Sequence, residues 1–348
     1  MAKKEKKVTD TMKVMQEKDI NKVAASQKVT KIFGQIMVYA FLGIMALIVL
    51  FPFYFMIISS LKDMPEYREP VPTLIPRSWQ YENYTDLLIP HEWAEKVGLA
   101  GTLVSEEAPQ HDFDLFTLFR NTMYVGIVST IFSVVITVLS AFAFARLNFK
   151  GKNMLFAALL GTMMIPGELF TITNYATVMT KGGWFPTFFN GLGNLFGLLD
   201  FNIPFVDSSF AALIVPFLVS VFYIYLLRQN FLQIPNELYL AAKVDGTSDF
   251  KYLCKVMIPL SLPTIISITI LKMMGAWNSY MWPRLVANDD AHRLITNGLR
   301  NAFADVNGDV NIPQQMAAVA LVSIPLFLVF VFLRKYIMKG VSRSGIKG

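Results

Sequence analysis

One cysteine, three histidines and few charges set the outer limits of what this sequence can do. Cys254 stands alone, which excludes an intrachain disulfide; a small, mostly buried position is expected for it. His91, His111 and His292 are scattered through polar segments and offer no metal-ligand cluster. Charged residues make up 16% of the chain, where a soluble domain carries about 25%. A phosphate-binding loop is missing. Gly340 to Gly348 contains G-x-x-x-x-G, but Ile-Lys-Gly follows instead of Lys-Ser/Thr, and no strand precedes it. G-x-S-x-G, H-E-x-x-H and C-x-x-C are absent as well. With no catalytic constellation, any nucleotide hydrolysis that drives this protein must happen on another chain.

What the sequence has instead is apolar length. Of its 348 residues 54% are hydrophobic, and the mean hydropathy is +0.46. Residues 32–61 contain no charge. As a helix they reach about 45 Å, more than the ~30 Å of a hydrocarbon core. A secretory signal has an apolar region of only about 7–15 residues, so this stretch reads as an uncleaved first span. Further spans are expected at 121–145, at 153–180 with an interruption at Pro166-Gly167-Glu168, at 208–227, at 262–283 and at 314–333. Prolines 52, 166, 216, 263 and 325 put one break in five of these six. Such breaks are tolerated where neighbouring helices or water satisfy the freed carbonyls. The expected fold is an all-α membrane protein, a bundle of six bent transmembrane helices.

Charge orients the bundle. Six spans put both termini on one side, and that side is read as cytoplasmic. Of 31 Lys and Arg, 21 then fall in the inner segments 1–31, 146–152, 228–261 and 334–348. Nine fall in the outer segments 62–120, 181–207 and 284–313, and Lys272 lies within a span. This is the positive-inside pattern. Membrane orientation thus accounts for the net charge of +6 without nucleic acid. The organisation is a cytoplasmic basic tail (1–31), a first transmembrane helix (32–61), an extracytoplasmic loop (62–116), a membrane core (117–333) and a cytoplasmic C-terminal tail (334–348). The first tail, with nine lysines and no aromatic residue, reads as disordered and solvated, able to touch anionic lipid.

One hydrated, charge-bearing island interrupts the C-terminal half: Gln233 to Pro263, within which the loop 233–261 faces the cytoplasm. It reads as two short helices joined by a glycine turn. Pro235 or Asn236 opens the first. Leu238, Ala241 and Ala242 fall at i, i+3, i+4 and share a face. Asp245-Gly246 stops it, with Gly246 free to take positive φ. Thr247 or Ser248 can cap the second helix, Phe250, Leu253 and Met257 give it an apolar stripe, and Pro259 and Pro263 are expected to break it. Paired alanines on a helix face permit close approach by a partner.

This island resembles the cytoplasmic coupling loop of ATP-binding-cassette (ABC) importer permeases, whose pattern is E-A-A, three residues, G, nine residues, I-x-L-P. Ala241 and Ala242 fill the alanines, Gly246 follows after three residues, and Val256-Met257-Ile258-Pro259 follows after nine more. Leu240 stands where the pattern has glutamate, Ile258 replaces the leucine, and Glu237 matches an acidic position one turn earlier. Other stretches are similar to the same family: Ala141 to Lys152, Met164 to Glu168, Trp277-Asn278-Ser279-Tyr280, and the tail Arg334 to Gly348, which resembles that of maltose-type sugar permeases. Relative to that family, 91–114 looks like an insertion.

The resemblance implies a permease subunit in a bacterial or archaeal plasma membrane that translocates a sugar or oligosaccharide delivered by an extracellular binding protein. A sugar-phosphate or other polar solute is the alternative, and an ion-coupled secondary transporter is the rival class. The implied partners are a second homologous permease, two ABC ATPase subunits holding ATP and Mg, the binding protein and membrane lipid. No cofactor or metal is expected on this chain. Glu237, Leu240, Ala241, Ala242, Asp245, Gly246, Ile258 and Pro259 are the implied ATPase-coupling residues. Gly340, Gly345 and Gly348 of the tail are candidates for reaching the ATPase interface.

Five polar or aromatic residues are candidates for the translocation path. Lys272 either faces the path or a partner permease, or snorkels to a nearby cytoplasmic surface. Glu168 either accepts sugar hydroxyls or pairs with a base, or caps the helix that follows Pro166-Gly167. Trp277, Asn278 and Tyr280 either line a sugar path by stacking and hydrogen bonding or form an interfacial aromatic belt.

Overall fold

The computed structural model describes residues 2–89, 91–98, 114–167, 169–180, 183–197, 208–287, 289–301, 303 and 311–342. Among these residues every regular element is helical. The chain divides into two units, 1–79 and 80–348, and each is described by itself.

The first unit holds α1 (Ala2–Ser59) and α2 (Met64–Tyr67). The lysine-rich segment read as a disordered tail is helical from Ala2. It has no glycine or proline before Gly34, and its Ala, Lys, Glu and Met residues are strong helix formers. Residues 31–54 are all exposed. A helix this apolar and exposed on every side belongs in lipid.

A buried polar knot receives the chain as it leaves α1. Asp63 caps α2 by accepting from the Glu66 N–H at 2.8 Å. Lys62 is only 2% exposed; it donates to the Thr73 carbonyl and lies 5.6 Å from the Phe55 ring centre. Glu66, also buried, accepts from the Thr73 hydroxyl and from the Arg77 N–H at 3.1 Å. Burial pushes the Glu66 carboxyl up. Its bonds from Thr73 and the Arg77 N–H, with the charges of Lys62 and Arg77, outweigh that and hold it below the usual range.

The second unit comprises α3 (Glu82–Leu88), α4 (His91–Val97), α5 (Leu115–Arg146), α6 (Lys152–Thr162), α7 (Leu169–Met179), α8 (Trp184–Gly197), α9 (Ser208–Ile214), α10 (Val221–Leu232), α11 (Asn236–Val244), α12 (Asp249–Tyr252), α13 (Ile258–Trp277), α14 (Met281–Val286), α15 (Ile295–Asn301) and α16 (Ile312–Ser342). Of the insertion at 91–114, the first seven residues form α4, and 99–113 lie outside the described residues.

Helix α5 is the axle of this unit and packs against α10 and α13. Asp114 caps it by accepting from the N–H groups of Phe116 and Thr117 at 3.1 and 3.2 Å. Much of its inward face is small and polar: Asn121, Thr122, Ser129, Thr130, Ser133 and Thr137 are buried, beside Leu118, Val125, Val138, Phe142 and Phe144. Its outward face carries Ile127, Ile131, Phe132, Val135 and Leu139, all exposed. That distribution is inverted relative to a soluble helix. Small residues let helices approach closely, while the large apolar side chains meet lipid.

Among the described residues four helices are long and apolar enough to cross a membrane: Lys31–Ser59, Leu115–Arg146, Asp249–Trp277 and Ile312–Phe332. The pair Ser208–Phe217 and Val221–Leu232, bent by 46°, makes a fifth. The fourth expected span is therefore not a clean helix over 208–227. Pro216 falls in a single 3-10 turn, Val215–Phe217, and Ser220 caps the helix that resumes and runs to Leu232. The third expected span is two helices, α6 and α7, of eleven residues each. Each spans about 16 Å, half a hydrocarbon core. Met163 to Gly167 separate them, with Pro166 unable to continue α6. At the other end α16 continues to Ser342, so the segment read as a tail from residue 334 begins as helix.

Candidate functional site

The island between α10 and α13 is built on backbone chemistry that its spacing specifies. α11 begins after Pro235 and ends in a paired C-cap. Thr247 N–H donates to the Ala242 carbonyl at 2.9 Å, and Gly246 N–H to the Lys243 carbonyl at 3.1 Å. These are the two bonds of a Schellman motif, with Gly246 at its left-handed position, φ +70°. An alanine and a glycine four apart are thus the first and fifth positions of one helix stop. Ser248 then caps α12, accepting from Lys251 N–H at 3.4 Å.

Three side chains the motif did not single out hold the turn closed. Tyr239 donates its hydroxyl to Asp249 Oδ1 at 2.7 Å, and Lys243 pairs with the same oxygen at 2.7 Å. The Lys243 amine lies 5.4 Å from the Tyr239 ring centre. The bond to Asp249 raises the Lys243 pKa. Tyr239 and Ala242 face inward, against a cluster that includes Phe142, Leu227, Phe231, Tyr252 and Met257. Leu238, Leu240, Ala241, Val244 and Phe250 face out, with Val244 89% exposed. Ala241 and Ala242 therefore divide the work: one packs, the other is offered. Glu237, Asp245 and Gly246 are also exposed.

The second helix of the island is not the short, proline-broken element expected. α12 runs through a single wide turn, Leu253–Met257, directly into α13, and the whole is one apolar helix from Asp249 to Trp277. In that turn Ile258 N–H bonds the Leu253 carbonyl, five residues back. The wider turn relieves the collision an α-helical Pro259 would make with the carbonyl of residue 255. Pro259 is exposed, Ile258 is half-buried in the cluster beneath α11, and Pro263 sits inside α13. The second helix of the island is thus continuous with a membrane span, without an intervening loop. Cys254, expected to be buried, is exposed on this turn, because Leu253 and Met257 take its inward face.

Arg146 at the end of α5 ties the island to its neighbour. Its guanidinium donates to the Phe231 carbonyl at 3.0 Å and to the Ile234 carbonyl, and to Asn236 Oδ1 at 3.1 Å. The Phe231 carbonyl lies at the C-terminal end of α10, where it also accepts from the Ile234 N–H at 3.3 Å, and the Ile234 carbonyl lies in the link to α11. Arg228 reciprocates, donating to the Phe144 carbonyl at 3.1 Å and stacking 4.0 Å from the Phe156 ring centre. The sequence contained Arg146 within a family-like stretch, but gave no sign of its target.

A cavity of about 340 Å³ opens where the fourth span breaks. Ser129, Ser220, Tyr223, Lys272 and Ser279 supply its polar lining. Lys272 donates to the Phe217 carbonyl at 2.6 Å, an acceptor released by the 3-10 turn. Lys272 lies five residues before the C-terminal end of a helix that begins at Asp249 in the island, and its amine is turned toward the break in the fourth span.

The other path candidates separate. Trp277 is 3% exposed and packs edge-on to Phe119 at 5.8 Å in a cluster with Leu118, Ile295 and Ala317, so it is core and neither path nor belt. Asn278 is exposed and bonds back to the Met274 carbonyl at 3.0 Å, closing its own helix. Tyr280 receives two arginines, Arg284 at 2.7 Å and Arg300. Glu168, Gly345 and Gly348 lie outside the described residues, and Gly340 lies within α16. Among the described residues no group of three or more His, Cys, Asp or Glu is placed to hold a metal ion.

Comparison with known proteins gives a consistent set. The family described as "binding-protein-dependent transport system inner membrane component" matches residues 119–343. The inner membrane ABC transporter permease protein YcjP of Escherichia coli is 24% identical over 312 residues, covering 89% of this chain and 95% of that one. The sn-glycerol-3-phosphate transport system permease protein UgpE of Pectobacterium atrosepticum is 26% identical over 313 residues, with coverage of 90% and 96%. The arabinooligosaccharides transport system permease protein AraQ of Halalkalibacterium halodurans is 26% identical over 233 residues, with coverage of 67% and 75%. In three dimensions the chain is similar to one in a crystal structure of a bacterial ABC transporter involved in the import of the acidic polysaccharide alginate. The TM-score is 0.63 at 21% identity, over 88% of this chain and 96% of that one, which is a likeness of fold.

Proposed function

The chain belongs to the family of binding-protein-dependent transport system inner membrane components, and from that membership we propose that it is the permease subunit of an ABC importer for a sugar or sugar derivative. It is a multi-pass membrane transport component. The relatives named for arabinooligosaccharides and for sn-glycerol-3-phosphate support a carbohydrate or phosphorylated solute.

The observation that carries the reading is the island Asn236 to Ile258: an exposed apolar face on a capped helix whose far end is continuous with a membrane span. Exposed apolar patches on a well-built polar loop mark a protein contact. In this reading two ATPase subunits, holding ATP and Mg, seat Leu240, Ala241 and Gly246 in a cleft. Closure of that pair moves the island, and α13 carries the movement into the bundle. A second homologous permease completes the membrane unit, and an extracytoplasmic binding protein delivers the solute. Both termini are cytoplasmic in this arrangement, with α6 and α7 together making the remaining crossing and the glycine-punctuated tail around Gly340 to Gly348 reaching the ATPase pair.

The test is uptake into vesicles carrying this chain and its co-purified subunits. ATP-dependent uptake that needs the binding protein, and survives collapse of ion gradients, supports the reading. Uptake that follows an ion gradient and ignores ATP overturns it.

A further inference from the structure

Two guanidinium groups converge on one neutral oxygen at the outer end of α13. Arg284 and Arg300 both donate to the Tyr280 hydroxyl, and both lie over its ring, 5.8 and 5.3 Å from its centre. Each arginine is exposed and keeps most of its five donors for another acceptor. The described carboxylates of the same loop are committed elsewhere: Asp289 to His292 and Asp290 to Arg293. Among the described residues no carboxylate lies within ion-pair distance of Arg284 or Arg300. Two like charges on a neutral acceptor repel, and an anion between them converts repulsion into attraction.

This pair sits on a braced turn. Thr296 donates to the Ser279 carbonyl, from one helical turn before Arg300. Buried Asn297, in the amide orientation that satisfies both groups, donates to the Tyr280 carbonyl at 3.1 Å and accepts from Arg284 N–H at 2.7 Å. Ser279 and Pro283, chain neighbours of Tyr280 and Arg284, line the cavity that Lys272 also lines. The Lys272 amine has donors beyond the one given to Phe217 and no acidic partner among the described residues. The segments read as outer hold 17 acids and nine bases, so the arginine pair and Lys272 stand against their prevailing charge.

We propose that the solute is anionic, a carboxylate- or phosphate-bearing sugar, received by Arg284 and Arg300 at the outer mouth and met by Lys272 in the cavity. The proposal rests on the permease reading above and adds the charge class of the solute. Arginine forks match the planar carboxylate and the phosphate face, and a lysine in a low-dielectric cavity offers a single strong charge-assisted donor.

The test uses the complete importer in vesicles with its binding protein and three labelled probes: sn-glycerol 3-phosphate, a uronate trisaccharide and neutral maltotriose. ATP-dependent uptake of an anionic probe at least tenfold above maltotriose is expected. Lys272→Met and the double variant Arg284→Gln/Arg300→Gln are each expected to cut it at least tenfold. Lys272→Arg and the double Lys variant, which keep charge, recover part of it and separate a charge effect from misfolding. ATP-driven uptake of maltotriose alone overturns the anionic assignment and leaves the permease reading standing. Ion-driven uptake that ignores ATP overturns both. Loss of binding-protein docking in the arginine variant, with solute selectivity intact, assigns the pair to docking and overturns its role here. Full activity of Lys272→Met combined with Glu168→Gln shows Lys272 to be an internal counter-ion and overturns its part.

Discussion

Arg146 at the end of α5 donates to the carbonyl oxygen of Phe231 at 3.0 Å, 85 residues further along the chain. One guanidinium also takes the Ile234 carbonyl and Asn236. The C-terminal end of α10 and the start of the island are therefore referenced to the central helix. Arg146→Ala takes the side-chain donor from the part-buried Ile234 carbonyl and one of several donors from the Phe231 carbonyl, at a cost of about 1–3 kcal/mol. Arg146→Lys keeps the charge but cannot fork to three acceptors. Thermal unfolding of the purified complex should rank wild type above Lys above Ala, and uptake should follow that order. Equal melting of all three would remove Arg146 from this role.

Gly246 holds φ +70°, with no atom within 4 Å of the position a Cβ would take. Backbone strain alone then decides what can replace it. Asn, which tolerates this region, should be mildest. Gly246→Ala should cost about 1–2 kcal/mol. Gly246→Pro cannot adopt the angle and loses the N–H bonded to Lys243. Uptake should fall in the order Gly, Asn, Ala, Pro while membrane insertion persists. A proline variant with unaltered uptake would show that the cap is not used in coupling.

Ala241 gives a complementary case, because it is exposed on the outer face of α11 while Ala242 packs inward. Ala241→Trp should leave the melting temperature within the small range of surface substitutions, about ±0.5 kcal/mol. It should still block ATP-driven uptake by filling the partner's cleft. The readout is the ratio of ATP hydrolysed to solute carried. An unchanged ratio counts against a seated alanine.

Sequence alone was informative wherever the local chemistry is short-range. The Ala242–Gly246 spacing is a C-cap, so the turn could be read from its residues, and uncharged runs longer than a bilayer mark α1, α5 and α16. It was less informative where distant groups decide. Pro259 reads as a helix breaker, yet a wide turn one step earlier absorbs it. Trp277 reads as a path or belt residue, yet Phe119, Ile295 and Ala317 enclose it. Nothing near Lys272 in sequence points to Phe217, 55 residues away. The lysine-rich start reads as disordered from its charge, but its residues form helix well and contain no breaker.

Glu66 makes the C-terminal end of α1 pH-sensitive. Its folded pKa lies below the ordinary 4.5 because bonds from Thr73 and the Arg77 N–H favour the carboxylate over the cost of burial. A lowered folded pKa gives stability that is fully present above the unfolded value and lost as pH falls through the folded one. Wild type should therefore exceed Glu66→Gln in protection of this loop from proteolysis at neutral pH. The gap should begin to close below about pH 4.5. A gap that is constant down to the pH where wild type itself unfolds would show that the charge of Glu66 contributes nothing.

Gly298 on α15 lies against Leu118 on α5, and a Cβ placed there would meet Leu118 Cδ1 at 2.3 Å, Cδ2 at 2.7 Å and Cγ at 3.0 Å. The obstacle is most of one side chain, itself 4% exposed, so a terminal rotation cannot clear it. Gly298→Ala should cost about 1–3 kcal/mol as overpacking. Leu118→Ala alone should cost about 2–5 kcal/mol as a cavity. Combined, the two should be less destabilising than their sum, because the new methyl occupies space the leucine vacates. Since α15 also carries Asn297 and Arg300, the single variant should disturb the arginine pair along with stability, and the double should restore it. Strict additivity in a double-mutant cycle of melting free energies would mean that α15 sits elsewhere than against α5.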